Sequence, residues 1–105
     1  MQLHLRPQTS YLHYTIPMRT VRIGLGQINT TVGDITGNIE RIRETITRAR
    51  NEGCHLVALP ELAVTGYPPE DLVLRRSFCE ASRDAVESLV DETLGIIAVV
   101  GFVDW

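Results

Sequence analysis

From Val21 to Ile28 the chain alternates, with Val21, Ile23 and Leu25 on one side and Gly24 and Gly26 on the other. A period of two reads as a strand, and the glycines suit close approach of a neighbouring layer. Beyond a loop from Asn29 to Gly37 the period lengthens. Ile39, Ile42, Ile46 and Ala49 share one stripe, while Glu40, Arg41, Arg43, Glu44, Arg48 and Arg50 face mostly water, which predicts an amphipathic helix. Asp34 or Thr36 suits its N-cap and Gly53 its end. Glu44 precedes Arg48 in the favourable order, and Arg48 and Arg50 complement the helix C-terminus. Leu56-Val57-Ala58-Leu59 then reads as a short buried strand, ended by Pro60, which has no N–H for a sheet ladder.

The second half repeats the order. Ser77-Phe78-Cys79-Glu80 fits a capping box, with Ser77 as N-cap and Glu80 at the third helical position. Phe78, Ala81, Ala85, Leu89 and Val90 form the apolar side of this helix, and Gly95 stops it. Ile96 to Val103 is a continuous apolar run, expected of a strand covered on both faces. The resulting order, β-α-β-turn-α-β, predicts an α/β fold with largely parallel strands and helices packed on the sheet. Residues 1–17 carry no helix or strand period in this reading and lack the apolar core of a secretory signal. They are taken as an unstructured leader, with 18–105 as the folded part and Met18 as the expected natural start.

The composition narrows the class. A chain of 105 residues supports one small domain at most, and 44% apolar with 22% charged residues is ordinary for a soluble globular protein. A net charge of -3 leaves no electrostatic footprint for nucleic acid or an anionic membrane. No apolar run approaches the ~20 residues that span a bilayer. Cys54 and Cys79 form no metal-ligand pattern and read as structural, helix-associated residues, so a reducing cytoplasm is the expected location. His4, His13 and His55 show no ligand spacing, and no metal site is expected. All ten basic residues are arginines; lysine is absent. The arginines of the first helix are interleaved with glutamates and read as a solvated face. Gly24-Leu25-Gly26 does not extend to a dinucleotide fingerprint, because Asn29 occupies the third glycine position and no helix opens there.

The candidate chemistry lies in Leu59-Pro60-Glu61-Leu62-Ala63-Val64-Thr65-Gly66-Tyr67-Pro68-Pro69-Glu70-Asp71-Leu72. Glu61 falls where a strand of an α/β sheet runs out, the usual place for ligand and catalytic groups. Gly66-Tyr67-Pro68-Pro69 forms a stiff turn that continues neither helix nor strand. Glu70 and Asp71 suit the N-terminus of a helical turn better than a metal pair.

This segment resembles the first signature of the nitrilase (carbon–nitrogen hydrolase) superfamily, a strand followed by Pro-Glu and a Thr-Gly-Tyr turn. Its longer form, Gly66 to Leu72, looks most like the glutaminase domain of the glutamine-dependent NAD synthetase family. Ile28-Asn29-Thr30-Thr31-Val32-Gly33-Asp34 with Gly37-Asn38 is similar to the start of the same domain, and the resemblance covers residues 18 to 105. It implies the first part of an αββα sandwich and a Glu-Lys-Cys constellation. In that chemistry a cysteine attacks an amide carbonyl, ammonia leaves, and water releases the acyl group. Glu61 matches the glutamate, taking the thiol proton and later activating water. Ordinary pKa values of about 8.5 for Cys and 4.3 for Glu make that transfer uphill by roughly 6 kcal/mol. Desolvating the glutamate and placing a cation beside the thiolate close the gap. Tyr67 matches a residue lining the glutamine pocket, although packing on Pro68 accounts for it equally.

The family's lysine has no counterpart here, and neither cysteine stands in the nucleophile's setting. The expectation is therefore an N-terminal piece of a glutamine-hydrolysing NAD synthetase, truncated after a strand and inactive alone. In the intact enzyme the resemblance implies ammonia transfer to a ligase domain using ATP and magnesium, and assembly as a homo-oligomer. The alternatives are a stand-alone amidase or carbamoylase of the same superfamily, or a non-catalytic remnant. A partial sheet would also expose Val and Ile rows and open edges, so poor solubility or self-association is expected.

Overall fold

Aromatic and β-branched residues suit a pleated surface, and Tyr11-Leu12-His13-Tyr14-Thr15-Ile16 is rich in both. In the computed structural model, which describes residues 11–16 and 19–105, this segment is strand β1 (Tyr11–Ile16). It pairs antiparallel with β2 (Arg19–Leu25), Tyr11 opposite Gly24 and Ile16 opposite Arg19. The expectation of a leader without regular structure is thus corrected over these six residues. Leu12, Tyr14 and Ile16 already alternate with His13 and Thr15, and the unpaired edge of β2 supplies a ladder for them. Met18, the expected start, lies outside the described residues.

β2 pairs in parallel with β3 (Leu56–Ala58), and β3 in parallel with β4 (Ile97–Val99), so the sheet order is β1-β2-β3-β4. The register aligns Gly24, Val57 and Ala98 on one face, and Leu25, Ala58 and Val99 on the other. Helix α1 (Ile35–Asn51) and helix α2 (Arg76–Glu87) supply the connections that parallel strands require.

The α1 stripe behaves as its spacing predicts. Ile39, Ile42, Ile46 and Ala49 are buried and pack with Ile28, Val57, Ala63, Val64, Leu89 and Ile96 in one core. Asp34 caps α1 by accepting from the Gly37 N–H at 3.1 Å. At the other end Arg48 reaches forward to Glu52 at 3.2 Å. Arg43 pairs with Glu40 and with Glu92, tying the helix surface to the turn before β4.

Several expectations in the second half are corrected. The capping box at Ser77 is not formed: α2 begins at Arg76 after an extended Arg75 and has no side-chain cap. A 3₁₀ turn over Glu70–Leu74 delivers the chain two residues early, with Arg75 in place of Ser77 at the cap, and Arg76 holds the Glu80 carboxylate at 2.8 Å. The buried side of α2 is accordingly rotated to Cys79 and Ser82, with Ala85 and Val86 partly buried, while Ala81 and Val90 are exposed. The helix also stops at Glu87, and a second 3₁₀ turn over Val90–Thr93 changes the phase.

The apolar run from Ile96 to Val103 contributes only Ile97–Val99 as strand, and it is covered on one face alone. Ile97 and Val99 are 63% and 52% exposed while Ala98 packs on the core. Both helices pack against the Val57 side of the sheet, leaving the Leu25, Ile97 and Val99 side open among the described residues. Beyond β4 the chain is anchored to α2: the Ser82 hydroxyl accepts from the Val103 N–H at 3.2 Å, and Arg83 reaches Asp104 at 3.5 Å.

Candidate active site

Because β2, β3 and β4 run parallel, their C-terminal ends meet at one edge, where α/β sheets place ligands. The loops that follow are knitted together by backbone hydrogen bonds. The Gly26 N–H donates to Ala58 at 2.8 Å, Leu59 to Val99 at 3.0 Å, Gly33 to Thr65 at 2.9 Å and Val64 to Gly101 at 3.3 Å. Residues 61–65 form the turn that follows β3, closed by the Gly66 N–H donating to the Leu62 carbonyl at 2.9 Å. Glu61 enters this turn and Tyr67 leaves it, so the two predicted site residues flank one closed loop.

The turn has an apolar floor and an exposed rim. Ala63, Val64 and Thr65 are fully buried, whereas Glu61 is exposed and Tyr67 is 63% exposed. Leu62 adopts a left-handed φ of 47°, uncommon for a branched side chain. Such a conformation persists where surroundings over-determine it, and here they do. The Gly101 backbone lies so close that a Cβ there would stand 2.7 Å from the Leu62 nitrogen. On the other side, a Cβ on Gly66 would meet the backbone of Thr31 and Val32 at 2.7–2.8 Å. The backbone after Glu61 is therefore gripped between the loops that follow β2 and β4. Among the described residues the Glu61 carboxylate makes no hydrogen bond or ion pair and remains available.

Three supports escaped sequence reasoning: Asn38, Thr65 and Gly101. Asn38 and Thr65 are fully buried. The Thr65 hydroxyl donates to the Gly66 carbonyl at 3.1 Å. The only signal for Asn38 was its place in the Gly37-Asn38 motif; for Gly101 there was none beyond its residue type.

The other candidates take structural places. Cys54 and Cys79 are buried free thiols. Burial pushes the Cys54 thiol up, with the Glu52 charge adding and Arg22 opposing. Cys79 donates its S–H to the Val73 carbonyl at 3.3 Å. His55 Nδ1 accepts from the Arg22 N–H at 2.9 Å. Glu70 and Asp71 open the first 3₁₀ turn. Among the described residues no group of three His, Cys, Asp or Glu side chains is placed to hold a metal, and no helix is long and apolar enough to cross a membrane.

An α/β layer with a Pro-Glu turn at the C-terminal ends of parallel strands agrees with the carbon-nitrogen hydrolase family profile, which matches residues 22–102. The chain belongs to that family, and its fold is the first part of a nitrilase-type sandwich. Within the family it is similar to the glutamine-dependent NAD(+) synthetase of Thermotoga maritima, with 39% identity over 89 residues, 83% of this chain. It spans only 16% of that relative's length. Among solved structures it superposes on a glutamine-dependent NAD(+) synthetase from Cytophaga hutchinsonii with a TM-score of 0.71 and 31% identity, covering 74% of this chain and 13% of that one. An amidase from Nesterenkonia sp. gives 0.62 and 29%, covering 70% and 27%.

Proposed function

We propose that this chain is part of the glutaminase unit of a glutamine-hydrolysing NAD synthetase and that Glu61 is its general base. The observation that carries this reading is the exposed Glu61, unpaired among the described residues, on a turn gripped from both sides at the ends of three parallel strands. The names of the matched relatives support glutamine as the substrate; in this proposal its released ammonia amidates deamido-NAD at a ligase domain that uses ATP and magnesium. No residue of this chain is assigned to either cofactor.

Glu61 takes the proton of an attacking thiol and then activates the water that releases glutamate, and Tyr67 lines the glutamine pocket. Lysine is absent from the 105 residues, and both cysteines are buried. The Glu-Lys-Cys set is therefore not assembled by this chain alone, and alone it does not hydrolyse glutamine. The intact enzyme is proposed to be cytoplasmic and homo-oligomeric, with the open sheet face covered by the second sheet of the sandwich. A stand-alone amidase is disfavoured by the Gly66–Leu72 run and by the synthetase relatives.

The test is a chimera in which residues 22–102 replace the matching segment of the Thermotoga maritima synthetase. It is expected to release ammonia from glutamine, and Glu61→Gln to lower kcat by about 10²–10⁴-fold, the usual range for a general base. A Glu61→Gln chimera that keeps the parent rate would overturn the role of Glu61. A well-folded chimera without glutaminase activity would count against the wider reading.

A further inference from the structure

Asn38 is polar, fully buried and set in the first turn of α1, where burial without hydrogen bonds carries a penalty. Its side chain is satisfied in one way. Oδ1 accepts from the Thr31 N–H at 2.8 Å and, at the longer distance of 3.4 Å, from the Arg41 guanidinium, and Nδ2 donates to the carbonyls of Thr31 at 2.8 Å and Val64 at 3.0 Å. Only this amide orientation serves an N–H and two carbonyls together. The Thr31 bonds hold the loop after β2; the Val64 bond crosses to the middle of the Glu61 turn. The same two loops meet again where Gly33 donates to Thr65, and where Gly66 leaves no room between itself and Val32.

We infer that Asn38 is a positioning residue for Glu61: its carboxamide fastens the turn carrying the carboxylate to the loop after β2 and to α1. This rests on the reading of Glu61 as the general base. Asn38 touches no reacting atom and acts only through the backbone it holds. Two variants separate the bonds. Asn38→Asp keeps an acceptor for Thr31 N–H but loses both donated bonds and sets a carboxylate against two carbonyls. Asn38→Ala loses every side-chain bond, the Arg41 contact included.

The experiment has two arms. In the first, hydrogen–deuterium exchange of the 105-residue protein is followed in peptides covering 30–34 and 60–67, with 40–50 and 54–58 as internal references. Both variants are expected to speed exchange in 60–67 by about tenfold or more, the scale of a lost buried hydrogen bond. The references change little, and Asn38→Asp disturbs 30–34 less than Asn38→Ala does. Unchanged exchange in 60–67 would overturn the inference, as would equal acceleration everywhere, which marks a general loss of stability. In the second arm the chimera carrying Asn38→Asp is expected to lose kcat about 10–100-fold with KM little changed, as misplacement of a catalytic group predicts. An active chimera indifferent to Asn38→Asp would overturn the positioning role. If the chimera is inactive, the reading of Glu61 fails, and the exchange arm still decides whether Asn38 holds the turn.

Discussion

Gly66 is expected to be the least replaceable glycine in the chain, because two independent penalties meet there. Its φ is +79°, where an L side chain costs about 1–2 kcal/mol. A Cβ would also lie 2.7 Å from Val32 N and Cα, main-chain atoms that cannot rotate aside. Opening that contact to an ordinary 3.4 Å needs a shift of about 0.7 Å between two loops already hydrogen-bonded to each other. Overpacking of this kind costs about 1–3 kcal/mol. If the two effects add, Gly66→Ala loses about 2–5 kcal/mol, a large share of the ~5–15 kcal/mol that stabilises a domain.

The other glycines provide the controls. Gly95 has a φ of +81° but nothing within 4 Å of a Cβ, so Gly95→Ala suffers the backbone penalty alone, about 1 kcal/mol after the gain from a stiffer unfolded chain. Gly101 meets Leu62 N at 2.7 Å without a left-handed φ, so Gly101→Ala suffers overpacking alone, about 1–3 kcal/mol. Urea denaturation followed by circular dichroism reads all three, and thermal midpoints should fall by roughly 4–8 °C per kcal/mol. A Gly66→Ala protein no less stable than Gly95→Ala would refute the claim that the Glu61 turn is wedged against the Thr31–Val32 backbone.

Two further outcomes follow from burial. Ile97 and Val99 stand exposed on the open sheet face; the 105-residue protein should self-associate, and replacing both with Thr should shift sedimentation velocity toward monomer while keeping β-branched residues in the strand. A monodisperse, cooperatively melting parent monomer would sink this. Burial raises the Cys54 thiol above its ordinary value, so above about pH 8.5 the unfolded chain binds fewer protons than the folded one and stability falls as pH rises. Cys54→Ala should flatten that alkaline decline, and urea titrations between pH 7 and 10 that show equal slopes for both proteins would exclude the effect.

What could be read in advance was whatever depends on local period or on a motif. The α1 stripe, the Pro60 stop and Glu61 at a strand end all follow from neighbours in sequence. β1 was missed although its alternation was visible, because a leader before a family motif invites no search for a partner strand. The capping box failed for a different reason. Ser77 and Glu80 have the right spacing, but the preceding 3₁₀ turn sets where α2 begins, and Arg76 competes for the glutamate. The two-sided cover expected for β4 failed because an apolar run reports only what a strand tolerates, not which face has a neighbour.

The supports of Glu61 were hidden for a deeper physical reason. Asn38, Gly66 and Gly101 act on the turn through contacts separated widely in sequence, and those contacts exist only once the parallel register brings three loop ends to one edge. A carboxylate proposed for a chemical task can be picked out by its motif, whereas the groups that hold its turn carry no chemistry of their own. They are an amide that fits one pattern of partners and two glycines that leave room. Their value lies in rigidity: an exposed side chain such as Glu61 has rotamer freedom of its own, so fixing its backbone removes the larger uncertainty in where the charge sits. Loosening any of the three should therefore move the carboxylate before it unfolds the domain, which is why local exchange in 60–67 discriminates better than global stability.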